Sequence, residues 1–115
     1  MTPNLPAHLT PAERAALGAF LPAARSMLKD DLYEVRLYGS RARREGHEES
    51  DLDVALIVRE GVWARRRPIH DLAWDLGVEH GVLLAATVIE KPRLDELRER
   101  ELRFAAELDR DGISI

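Results

Sequence analysis

With 115 residues the chain has room for one domain and a modest core, and with no cysteine it can build neither a disulfide framework nor a thiolate zinc site. A net charge of -4 argues against broad nucleic-acid binding, which needs a basic footprint. No apolar run approaches the roughly 20 residues of a membrane span, and the opening Met1-Thr2-Pro3-Asn4 has no signal-peptide pattern, so the expectation is a soluble, cytoplasmic protein forming a single domain over residues 1–115.

Thr10-Pro11-Ala12-Glu13 reads as a capping box with proline at the first helical position, so a helix should start there. Leu17, Phe20, Leu21, Ala24 and Leu28 supply its apolar face; Pro22 should kink or split it before it ends near Lys29. Val35, Leu37 and Tyr38 form a short strand that stops at Gly39 and leads into a short helix over Ser40-Arg41-Ala42-Arg43-Arg44. After a polar stretch holding Gly46, His47, Glu48 and Glu49, the run Asp51-Leu52-Asp53-Val54-Ala55-Leu56-Ile57-Val58 reads as a second strand, alternating at first and then buried on both faces. Between Trp63 and His80 the stripe Ile69, Leu72, Ala73 and Leu76 predicts a second long helix, with Pro68 near its start and Gly77 or Gly81 as its stop. Residues 82–89 predict a third strand, and Leu94, Leu97, Leu102, Ala105 and Leu108 predict one C-terminal helix closed by Asp111-Gly112. Ile113-Ser114-Ile115 follows as a possible edge strand. This order argues an α/β or α+β fold, a small mixed sheet with helices packed on it.

Asp51 and Asp53 lie two residues apart at the mouth of an apolar strand, where period-two geometry points both carboxylates to one side. Two such charges repel unless a cation lies between them, and hard oxygen ligands of this kind suit Mg²⁺ bridging to phosphates. Gly39 after a strand allows a tight turn whose backbone N–H groups approach an anion, and Ser40 adds a hydroxyl at the start of the next helix. Arg41 and Arg43 are candidate helpers there. Alone, Gly-Ser is an ordinary turn and Asp-x-Asp a turn cap plus a solvated side chain; the combination, ten residues apart, carries the weight.

Leu37-Tyr38-Gly39-Ser40-Arg41-Ala42-Arg43 followed by Ser50-Asp51-Leu52-Asp53-Val54 resembles the signature of minimal nucleotidyltransferases of the DNA polymerase β superfamily, with the spacing G-S-x10-D-x-D intact. The resemblance reaches more weakly to Asp111-Gly112-Ile113. It implies that Gly39 and Ser40 hold a nucleoside triphosphate, with Arg41 and Arg43 beside them, that Asp51 and Asp53 bind Mg²⁺, and that Ser40, Asp51 and Asp53 serve transfer of AMP from ATP to an acceptor hydroxyl. The chain is barely larger than a nucleotide-binding core, so the acceptor should come from a separate protein. Among the resembled proteins this is a HEPN-type toxin, neutralised by its antitoxin in a toxin–antitoxin pair.

The pattern also departs from the family. A third carboxylate usually stands on the following strand, near the position of Thr87, and residues 82–89 contain no acid. Glu90, of opposite parity on a regular strand, and Glu79, at the end of the preceding helix, are the nearest candidates. Arg44 replaces the usual glycine. The rival reading is therefore a degenerate nucleotide-binding module that blocks its HEPN partner by contact; transfer to a small molecule such as an aminoglycoside ranks last. His47, His70 and His80 read as surface histidines. Arg65, Arg66 and Arg67 read as a solvated face, and Trp74 as core, whereas an exposed tryptophan would point to a partner surface.

Overall fold

The computed structural model describes residues 5–39, 42 and 51–115. Helix α1 (Pro11–Leu28) starts as its sequence requires: the Thr10 hydroxyl accepts from the Glu13 N–H at 3.1 Å, and the Glu13 carboxylate accepts from the Thr10 N–H at 2.8 Å. Pro22 neither splits nor ends the helix, which runs through it. It lies on the exposed side, where water can serve the carbonyl left without a donor four residues back, and that residue is Gly18, with open space around it.

Strands β1 (Leu32–Tyr38), β2 (Leu52–Val58), β3 (Leu84–Glu90) and β4 (Ile113–Ser114) form one mixed sheet in the order β3-β2-β1-β4. β1 runs antiparallel to both β2 and β4, while β2 and β3 are parallel. Alternation along β2 explains its apolar density. Leu52, Val54, Leu56 and Val58 pack with Leu17, Phe20 and Leu21 of α1 and with Ile69 and Ala73 of α2 (Arg67–His80). Ala55 and Ile57 pack on the other face with Leu94, Ala105 and Leu108. Full burial of such aliphatic side chains is worth about 1.5–3 kcal/mol each, so β2 is the strand on which both layers depend.

Helix α2 buries Ile69, Ala73 and Gly77 at four-residue intervals and stops at Gly81, whose φ of 69° is left-handed. Gly77 has a packing reason: a Cβ there would stand 2.8 Å from the Val82 carbonyl, where the chain turns into β3. Trp74 is not core as expected; it is 70% exposed. One position past Ala73 is a rotation of about 100°, which carries the indole off the buried stripe.

The single C-terminal helix anticipated from Leu94 to Leu108 is two, α3 (Lys91–Glu99) and α4 (Arg103–Asp111). The break is a Schellman turn: the Leu102 N–H donates to Leu97 O at 3.1 Å and the Glu101 N–H to Arg98 O at 3.0 Å, with Glu101 at φ 53°. Leu102 accordingly leaves the apolar stripe and is exposed. β4 forms the edge strand anticipated from the sequence, pairing Leu37 with Ile113. Among the described residues, no helix is long and apolar enough to cross a membrane.

Candidate functional site

The end of β1 and the starts of β2 and β3 meet at one end of the sheet. Tyr38 lies opposite Asp53 in the antiparallel register, and Asp53 lies opposite Ala85 in the parallel one. Gly39 follows at φ 76°, a conformation that side chains rarely adopt, and its carbonyl accepts from the Ala42 N–H at 3.2 Å to close the turn. A Cβ built on Gly39 would stand 2.6 Å from Asp53 Oδ2. The glycine is thus required twice over, by the turn and by the carboxylate seated against it.

Asp51 lies just before β2 and is exposed, while Asp53 is half-buried on the face that β2 turns toward α3 and α4. Burial, and then the nearby Asp51 charge, push the Asp53 carboxyl above its usual range. The two carboxylates are therefore close enough to repel, as their spacing anticipated. Ser40, Arg41 and Arg43, together with Arg44 and His47, lie outside the described residues. Gly39, Asp51 and Asp53 are the sequence-predicted site residues brought together here.

Tyr38 and Phe104, not singled out for this site, complete its wall with Thr87, the position where a third acid was expected. The Tyr38 ring meets Phe104 edge-on with centroids 5.6 Å apart, and its hydroxyl lies 3.3 Å from Thr87 Oγ1. Burial above all raises the Tyr38 phenol, with the Thr87 hydrogen bond opposing and the charges of Asp53 and Glu107 adding to the rise. Thr87 sits opposite Ala55, one residue pair beyond Asp53 and on the same face. The position expected to carry a third acid thus carries a hydroxyl bonded to Tyr38. The strand parity of residues 85 and 87 was the available signal.

Neither alternative acid fills that role. Glu90 pairs in register with Val58, and its carboxylate accepts the N–H groups of Gly61 at 2.7 Å and Trp63 at 3.0 Å. Five residues along β3 from Ala85 is about 17 Å, at the far end of the sheet. Glu79 is exposed near the end of α2 and does not line the cleft beside Asp51. Among the described residues, no three His, Asp or Glu side chains gather as a metal cluster. Part of the basic run also has a local use: Arg65 bonds Asp31 at 3.0 Å, and Arg66 lies 3.3 Å over the Trp63 ring.

The nucleotidyltransferase domain model matches residues 19–108, a span holding every one of these groups. The chain belongs to that family. Solved structures agree on the fold. A toxin–antitoxin complex with AMP-PNP superimposes with a TM-score of 0.56 at 15% identity, over 84% of this chain and 69% of the other. A mutant MntA-HpeT toxin–antitoxin gives 0.53 at 12% identity, over 82% and 68%. A protein described as a minimal nucleotidyltransferase gives 0.52 at 27% identity, over 96% of this chain and 100% of the other. No curated protein matches. The resemblance read in the sequence is borne out, and the mixed sheet clothed by helices is the α+β nucleotidyltransferase fold.

Proposed function

We propose that this nucleotidyltransferase domain transfers AMP from ATP to a hydroxyl of a partner protein, a HEPN-type toxin, and acts as its antitoxin. One observation carries the reading: Gly39 lies against the carboxylate of Asp53 beside the charge of Asp51, which supports taking the strand-end turn and the acidic pair as one site. The family match supports nucleotidyl chemistry, and two fold neighbours are toxin–antitoxin assemblies, one of them holding a nucleotide analogue.

The donor set fits a divalent cation such as Mg²⁺, because two repelling hard-oxygen groups are relieved by positive charge between them. Bound to Asp51 and Asp53, the ion supplies charge neutralisation for the phosphates. The chain's own contributions are positional. Gly39 leaves room for Asp53, and the family resemblance assigns the triphosphate to Ser40, with Arg41 and Arg43 as candidate helpers. In the reaction the acceptor oxygen bonds to the α-phosphorus as the bond to the β-phosphate oxygen breaks; pyrophosphate leaves and the hydroxyl proton passes to solvent.

Thr87 favours a second reading. A hydroxyl held by Tyr38 cannot act as the carboxylate base worth about 10²–10⁴-fold in such reactions, which suits a domain that binds nucleotide and silences its partner by contact. Incubation with α-labelled ATP, Mg²⁺ and the partner separates the two. Label on the partner with the unaltered chain, lost in Asp51→Asn/Asp53→Asn, supports transfer. Absence of label, with both chains still forming the complex and protecting against the toxin, rejects transfer and leaves the contact module.

A further inference from the structure

The molecule exposes a bare indole beside the site just described. Trp74 is 70% exposed, Val78 67% and Leu83 58%; together they rim a cleft of about 440 Å³ between the second half of α2 and the start of β3. Buried Gly77 and Leu84 and exposed Asp51 also line it. The lining is mostly carbon, and among the described residues Asp51 is its only ionisable side chain.

We propose that this cleft receives the base of the nucleoside triphosphate, stacked on Trp74; the proposal rests on the nucleotidyl-transfer reading and names where the substrate's heterocycle goes. Three observations point to this occupant. Asp51 belongs both to the acidic pair and to the cleft wall, so the cleft opens beside one of the two carboxylates that would hold the phosphates. The cleft volume lies in the range of small-molecule sites, and its apolar walls with few polar groups suit a flat heterocycle. The exposed indole, with Val78 and Leu83 beside it, offers a flat ring a face to lie on.

The lining also fixes the kind of selectivity. Stacking on an aromatic face is tolerant of base identity, because every base has a π-face and the energy follows ring area. The domain should therefore discriminate by size of heterocycle, preferring ATP and GTP to CTP and UTP by a few-fold.

The chain has two tryptophans, which makes the test direct. In a Trp63→Phe background Trp74 is the sole indole, and Trp63 lies beside Glu90 at the opposite end of the sheet. Mg²⁺-ATP and Mg²⁺-tripolyphosphate are titrated while following fluorescence and, by calorimetry, affinity. ATP should perturb Trp74 emission and tripolyphosphate should not. Trp74→Ala should weaken ATP by roughly 5- to 150-fold and leave tripolyphosphate unchanged. Trp74 is exposed, so its removal should leave the fold intact, which circular dichroism checks; Trp74→Phe should recover most of the ATP affinity. Unchanged ATP affinity in Trp74→Ala overturns the proposal, and if the partner complex is lost instead, the cleft is a protein contact. If the unaltered chain binds neither ligand, the nucleotide reading itself fails and takes this proposal with it.

Discussion

The two ends of the sheet use the same residue types to opposite ends. Where β2 and β3 finish, charges and rings are matched: Asp31 lies 3.0 Å from both Arg59 and Arg65, Glu90 accepts two backbone N–H groups, and Trp63 is capped by Arg66. Where β2 and β3 begin, Asp53 meets another carboxylate, no cation among the described residues pairs with it or Asp51, and Trp74 stands uncovered. Matched charges close a fold. Mismatched ones cost stability and persist where a ligand is to complete them.

The sharpest way to break this contrast is Gly39→Ala. The left-handed turn alone costs about 1–2 kcal/mol, and the new Cβ would collide with Asp53 Oδ2. Nucleotidyl transfer should fall by about 100-fold or more, since small misplacements at such sites are that expensive. A chain that still unfolds cooperatively by circular dichroism but transfers at the original rate would show that Asp53 needs no such seat.

Glu90→Ala probes the matched end. Removing the acceptor of the Gly61 and Trp63 N–H groups should cost about 1–3 kcal/mol in urea unfolding. Transfer rate should be unchanged under folding conditions. A selective loss of rate would return Glu90 to the chemistry.

Asp53→Asn should separate function from stability. The Asp53 carboxyl is raised, so the folded state holds the proton more tightly than the unfolded chain. The stability this contributes is present below the ordinary carboxylate range and lost as pH rises through the raised value. At neutral pH in chelator, Asp53→Asn should therefore melt at a higher temperature than the unaltered chain, with the gap closing on acidification. Mg²⁺ should raise the melting temperature of the unaltered chain alone. A lower melting temperature for Asp53→Asn in chelator would mean that the charge is compensated.

The smallest effect belongs to Glu101→Gly. Glycine suits φ 53° better than glutamate but costs unfolded-chain entropy, so thermal melts should show a net gain of about 0.5 kcal/mol or less. A clear loss would show that the Glu101 side chain contributes to joining α3 and α4.

What could be read from the sequence followed local rules. The Thr10–Glu13 capping box, the doubly buried β2 and the Gly39 turn each declare themselves within a few residues. The break after Arg100 did not, because its left-handed position holds Glu101 rather than the glycine that marks such turns. Trp74 was read as core against the helical phase set by Ile69, Ala73 and Gly77, which carries it off the buried stripe. The role of Glu90 was hidden because its N–H partners lie 27 and 29 residues away in the chain. At the candidate site, the spacing pointed to Gly39, Asp51 and Asp53 and the family pattern to the position of Thr87, while the Thr87 bond to Tyr38 and the Phe104 contact emerged only once strand register was known.

Asp53 sits on the strand that both layers cover. Amide protons along Val54 to Val58 should then exchange only through global opening, the slowest class in a hydrogen-exchange experiment. Asp53, carried on that strand, is held by the same protection, whereas Asp51 lies just before it. Any motion that admits or releases a ligand must be made by groups other than β2.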